Sequence, residues 1–195
     1  MNDCMFIFFI TLKSLLDMIS PDRGVPGELR ERLRRLGLQR VHYEHSWYGP
    51  LNKLFNVIFS GPRWMVKPQP PFRQEAAELS DEADPDTSIS SYGVVVEHAA
   101  KFPDFAICQY TGSLTGDTLH AVVEVKSDAS NHGLNCLQLG QYLDSQGGVA
   151  PDALGISIAG ERVGIISEGA EPVQEFIVYD TAFIDFLADY AEQHE

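Results

Sequence analysis

The chain has 195 residues, 44% of them hydrophobic, and a formal net charge of −14. That length suits one domain with a full core and an appended N-terminal segment, and the composition is that of an ordinary soluble globular protein. Taken whole, the charge argues against nucleic acid as a partner, and three cysteines (Cys4, Cys108, Cys136) without a Cys-x-x-Cys argue against a zinc framework and read as reduced buried thiols.

The charge is unevenly spread. Residues 1–73 hold eleven Lys and Arg against six Asp and Glu, whereas residues 74–195 hold three against twenty-two. The second part alone repels phosphates at long range, so contact with a nucleic-acid backbone requires the basic part or bound cations.

Along the chain, residues 5–12 are an apolar run too short to span a bilayer, with Asp3 before it and Lys13 after it. Apolar positions continue to Ile19, which predicts a core or docking helix over residues 5–19 and no membrane segment. A turn-rich link follows over 21–27. Residues 28–38 read as a helix with Leu29, Leu33 and Leu36 on one face and Arg30, Arg34 and Arg35 elsewhere. An aromatic patch over 42–48 and an apolar segment over 51–59 come next, in which Trp47, Tyr48 and Trp64 further on are candidates for stacking on unpaired bases. Residues 61–71 contain four prolines and read as a linker or a wrapped surface strand.

Residues 72–82 predict a helix, 84–91 an acidic exposed loop and 92–98 a first strand around Val94-Val95-Val96. Two further strands carry Asp104 and Glu124. A helix over about 134–145 follows, closed by Gly147-Gly148, and a hairpin flanks Gly160-Glu161-Arg162. A strand over 173–178 and an amphipathic helix from Thr181, read as its cap, end the pattern. Residues 1–70 thus read as a helical, basic N-terminal extension and 71–195 as the main domain.

Within that domain, Pro103-Asp104 lies in one apolar run and Glu124-Val125-Lys126 in another. Side chains alternate along a strand, so Glu124 and Lys126 share a face while Val123 and Val125 take the other. Two carboxylates and an amine are offered from neighbouring strands to one point, the parts needed to hold a hard divalent cation and attack a phosphodiester. Gln138 and Tyr142, four apart on the following helix, also share a face.

This arrangement resembles the PD-(D/E)XK nuclease superfamily, whose signature is a Pro-Asp on one strand and a Glu-x-Lys on the next. Gln138 and Tyr142 resemble the Gln-x-x-x-Tyr element of its RecB-type members. The resemblance covers roughly residues 90–180 and implies an α/β fold with the restriction-endonuclease-like αβββαβ core. It implies Mg²⁺- or Mn²⁺-dependent hydrolysis of DNA, or less readily RNA; the reduced-looking cysteines and the lack of a signal pattern point to the cytoplasm or nucleus. Asp104, Glu124 and the backbone carbonyl of Val125 would hold the ion, Lys126 would position the attacking water, and Gln138 and Tyr142 would contact phosphate or support the metal site. A further acidic ligand from a helix before the first strand is common in the family, with Glu75, Glu78 and Glu97 as candidates here. Arg30, Arg34 and Arg35 are the candidate nucleic-acid contacts, and residues 1–70 offer a surface for a protein partner. The alternative reading is a catalytically inactive module of the same fold that binds protein or nucleic acid, which the strong negative charge favours.

Overall fold

The computed structural model describes residues 23–39, 43–69, 88–89, 95–96, 103–112, 116–127, 132–145, 148–167 and 174–195. Helix α1 (Gly27–Leu38) buries Leu33 and Leu36 and leaves Arg34 and Arg35 in solvent. Helix α2 (His45–Ile58) unites the aromatic patch and the apolar segment that the sequence separates. Its buried Trp47, Leu51, Leu54 and Phe55 follow helical spacing, with Pro50 inside the helix. A mid-helix proline costs roughly 3 kcal/mol, whereas burying each large apolar side chain contributes about 1.5–3 kcal/mol. Four such side chains outweigh the one proline.

Strands β1 (Trp64–Pro68), β2 (Ser88–Ile89), β3 (Val95–Val96), β4 (Phe105–Gln109) and β5 (Thr118–Lys126) precede helix α3 (His132–Ser145). Strands β6 (Val149–Ala159), β7 (Arg162–Ile166) and β8 (Gln174–Ile177) and helix α4 (Thr181–Gln193) complete the described elements. The main sheet has six strands in the order β1-β4-β5-β6-β7-β8. Neighbours are antiparallel except β5 and β6, which run parallel. A parallel pair needs a crossover, and α3 supplies it. The architecture is α/β with a mixed sheet.

Both faces of the sheet are covered. Phe105, Ile107, Ala121, Val123, Val125, Ile156 and Ile158 pack with side chains of α1, α2 and α4 in one large core. Ala106, Cys108, Leu119, Val122 and Ile166 pack on the other side with Cys136, Leu139 and Tyr142 of α3. This explains why β5 is buried along almost its whole length. Skipping His120 in the register, between Ala121 and Leu119, makes a bulge that sends its ring toward Trp64 and Tyr190. At the β6–β7 turn Gly160 has φ +60°, a conformation that favours glycine, and its N–H donates to Lys126 O at 2.9 Å.

Several expectations change. The strand beside β4 is β1, from the proline-rich segment over 61–71, because Trp64 packs on Phe59 and His120 while Pro68 ends an edge strand where a missing N–H is tolerated. The expected first strand over 92–98 contributes β3, which pairs with β2 in a separate two-stranded sheet, and β2 falls inside the expected acidic loop. The division at residue 70 does not coincide with a break in the core, since α1, α2 and Trp64 share the core of the strands that follow. Helix α4 is preceded by Asp180 at its N-cap rather than capped by Thr181, whose hydroxyl accepts from Arg30 instead. The helices expected over 5–19 and 72–82 lie outside the described residues. Cys108 and Cys136 are free and buried, and among the described residues no helix is long and apolar enough to cross a membrane.

If α2 belongs to the core, Leu54→Ala lowers the unfolding free energy by about 2–5 kcal/mol. Leu137→Ala, at a side chain 52% exposed, changes it by less than about 0.5 kcal/mol. Urea unfolding followed by tryptophan fluorescence measures both.

Candidate functional site

The candidate site lies at the carboxyl end of β5, where β4 begins. Pro103 has no N–H with which to extend the β4 ladder. One residue on, the Asp104 N–H donates to Val123 O at 3.0 Å and its carbonyl accepts from Gln69 N–H at 2.8 Å. The Asp104 side chain then takes over where the backbone pairing stops: Oδ2 accepts the Val125 N–H at 2.6 Å. Oδ1 accepts a short hydrogen bond from the Tyr48 hydroxyl. Asp104 is thereby buried and joined to a neighbouring strand and to α2.

Glu124 is buried as well, only 4% exposed. Lys126 Nζ donates to its Oε1 at 2.7 Å, so the two residues do share a face of β5, as the alternation predicts. The other oxygen, Oε2, is buried without a hydrogen-bond partner. A buried carboxylate oxygen left so is expensive, and burial, with the Asp104 charge adding to it, holds the Glu124 carboxyl above its ordinary value against the opposing pull of Lys126. On Lys126 burial pulls the other way, but Glu124, Glu44 and Asp104 outweigh it and the ammonium sits above its ordinary value. It remains charged at neutral pH.

Gln138 and Tyr142 lie together on α3, the amide donating to the Tyr142 hydroxyl at 2.9 Å. Burial and the Glu124 and Asp104 charges push the Tyr142 phenol up to about 12, with the Gln138 hydrogen bond opposing. All five residues singled out in the sequence, Asp104, Glu124, Lys126, Gln138 and Tyr142, thus belong to one neighbourhood spanning β4, β5 and α3.

Two residues join them that the sequence reading did not assign to the site. Glu44, immediately before α2, places Oε1 3.8 Å from Lys126 Nζ. Tyr48, one turn later, reaches Asp104. The split at Gly49-Pro50 hid them; reading the Trp47, Leu51, Leu54, Phe55 spacing through the proline yields a helix that presents Glu44 and Tyr48 on one face. Burial, then the hydrogen bond to Asp104, raises the Tyr48 phenol above its ordinary value, so it stays a donor at any neutral pH.

Other expectations fare differently. Glu75, Glu78 and Glu97 lie outside the described residues. Trp47 and Trp64 are buried in the core and are not free to stack on bases. Arg30 donates to Tyr179 O at 3.3 Å and to Thr181 Oγ1 at 2.9 Å, while Arg34 and Arg35 both bond Glu31, at 2.7 and 2.8 Å. Helix α1 nonetheless borders the site's end of the sheet. A Cβ on Gly37 would lie 2.9 Å from Glu161 Cβ, and Glu161 adjoins the Gly160 that is bonded to Lys126 O.

Among the described residues no group of three or more His, Cys, Asp or Glu side chains converges to hold a metal ion. Mg²⁺ does not require one, since it commonly takes one or two carboxylates and fills the remaining positions with water and substrate phosphate. The donor set here fits that pattern: two hard carboxylates, one with a buried oxygen lacking any partner.

No protein-family model matches the chain. No curated protein matches it either. Among solved structures it is similar to a chain of the DrdV–DNA complex determined by cryo-EM, at 15% identity and a TM-score of 0.48, over 86% of this chain and 13% of that one. A likeness of that size to a small part of a longer protein does not by itself specify a fold family or an activity.

The raised Glu124 carboxyl has a consequence for stability. Its folded-state pKa lies above the unfolded one, so folding favours the protonated form, and stability declines as pH rises through the raised value. Glu124→Gln removes that charge and makes the protein more stable than wild type at neutral pH. The difference closes as pH falls below about 4.5, where both states of the wild type are protonated. Urea midpoints measured across the acidic to neutral range test the direction.

Proposed function

We propose that this protein is a metal-dependent nuclease that hydrolyses phosphodiester bonds in nucleic acid, DNA before RNA, on a restriction-endonuclease-like αβββαβ core. The observation that carries the reading is the buried, unpartnered Glu124 Oε2 beside Asp104, with the charged Lys126 on the same strand face. Support for the core comes from the element order α2, β1, β4, β5, α3, β6, with β5 and β6 parallel across the α3 crossover. On this reading the core starts at α2.

Asp104 and Glu124 would hold Mg²⁺ or Mn²⁺, with the Val125 carbonyl on the same strand edge as its N–H. When bound, the ion supplies Lewis-acid polarisation of a phosphate oxygen and neutralises charge. Lys126 orients the water that attacks phosphorus and stabilises negative charge gathering on the phosphoryl oxygens as the bond to the leaving oxygen breaks. Glu44 fits the additional acidic position that the family takes from the helix before its first strand, sharing Lys126 with Glu124. Gln138 and Tyr142 offer amide and phenol groups to substrate phosphate. Arg34 and Arg35, on the helix bordering this end of the sheet, offset the acidic surface along an approaching backbone.

A second reading, a catalytically inactive module of this fold that binds protein or nucleic acid, is favoured by the net charge of −14 and by the pairing of Arg34 and Arg35 with Glu31. Incubation with supercoiled DNA, single-stranded DNA and RNA in millimolar Mg²⁺ or Mn²⁺ separates the two. Cleavage by the wild type, reduced about 10²–10⁴-fold by Lys126→Ala with Mn²⁺ binding retained, supports the enzyme. Absence of cleavage on every DNA and RNA substrate, with either ion, sinks it in favour of the binding module.

A further inference from the structure

We propose that Tyr48 is a positioning residue for Asp104, orienting the carboxylate for cation binding through its hydroxyl. This inference rests on the metal-dependent reading above. A carboxylate turns easily about its terminal torsion, whose energy surface is broad. One hydrogen bond leaves that rotation partly open; two donors, one on each oxygen and from separate elements, close it. Asp104 has such a pair: Val125 N–H on Oδ2 at 2.6 Å and the Tyr48 hydroxyl on Oδ1.

The Tyr48 ring is held independently of its hydroxyl. It stands edge-on to Phe105 with centroids 5.8 Å apart and planes at 81°, and Phe105 in turn meets Phe55 edge-on at 5.6 Å. The aromatic body is therefore part of the packing between α2 and β4, and the phenol oxygen is delivered to Asp104 by that packing. Each carboxylate oxygen carries two lone pairs, so accepting one hydrogen bond apiece leaves a lone pair on each for an ion. Glu124 is held differently, by Lys126 on one oxygen alone. Of the two carboxylates, Asp104 is the pre-oriented one, and a residue outside both catalytic strands sets its orientation. Partners that orient metal-ligating groups in this way commonly account for 10–100-fold in metal affinity.

Calorimetric titration of Mn²⁺ into the full chain tests this with wild type, Tyr48→Phe and Asp104→Ala. Tyr48→Phe retains the ring and its contact with Phe105, so circular dichroism and the thermal midpoint should stay close to wild type. The expected result is Mn²⁺ binding by the wild type, loss in Asp104→Ala, and about 10–100-fold weaker binding in Tyr48→Phe. Unchanged or tighter binding in Tyr48→Phe, with Asp104→Ala still deficient, overturns the role of Tyr48 and leaves the metal site standing; tighter binding would mean that the phenol competes with the ion. No Mn²⁺ binding by the wild type overturns both. If Tyr48→Phe does not fold, tyrosine carrying ¹³Cζ in the wild-type chain answers the same question. A Tyr48 resonance that moves on Mg²⁺ addition supports the coupling, and one unmoved at saturation overturns it.

Discussion

The carboxylate of Asp104 ties three parts of the molecule together. It accepts from α2 on one oxygen and from the β5 backbone on the other, while its own backbone bonds to Val123 and Gln69. Beyond the start of the β4 ladder it is the Asp104 side chain, not the backbone, that accepts the Val125 N–H near the buried end of β5. A polar group sealed in that position is costly unless paired. The side chain that satisfies the backbone is the same one that is best placed to act as a ligand, so local structure and candidate chemistry share one residue.

Around that junction the electrostatics are unbalanced in a particular way. Asp104, Glu124 and Glu44 gather near a single lysine, and one oxygen of Glu124 has no partner. A fold selected for stability alone would replace such a group with an apolar side chain of similar volume. Keeping a buried, incompletely paired carboxylate beside a charged amine is the pattern expected where a site trades stability for function. The sheet absorbs the loss: around Glu124, β5 sends Val123 and Val125 into one core and Val122 into the other, all fully buried.

How much of this could be read from the sequence differs by element. The alternation in residues 120–126 correctly sent Glu124 and Lys126 to one face, and four-residue spacing correctly paired Gln138 with Tyr142. The hairpin around Gly160, α1, β8 and α4 were all legible because each carries a complete periodic pattern with turn residues at its ends. Helix α2 was not, because Gly49-Pro50 interrupts the pattern and local turn preference opposes the helix. For β1 the prolines left a linker and a surface strand both open until Trp64 is seen packed against Phe59 and His120. Losing α2 also lost Glu44, which belongs to no short motif, and left Tyr48 as a base-stacking candidate rather than a partner of Asp104.

What the sequence by itself determined is the set of strand-borne groups and their facing: Asp104 behind a proline, Glu124 and Lys126 two apart, Gln138 and Tyr142 one helical turn apart. These depend on periodicity, which is a property of neighbours along the chain. The tertiary structure alone decided which helix and which edge strand complete the core, that Arg34 and Arg35 are paired with Glu31, and that Glu44 and Tyr48 reach Lys126 and Asp104 from more than fifty residues away. Those outcomes follow from the burial of Trp47, Leu51, Leu54, Phe55 and Trp64 against β4 and β5. Burial energy summed over a whole packed face exceeds the local cost of one proline, and that sum is not visible until the face has a partner.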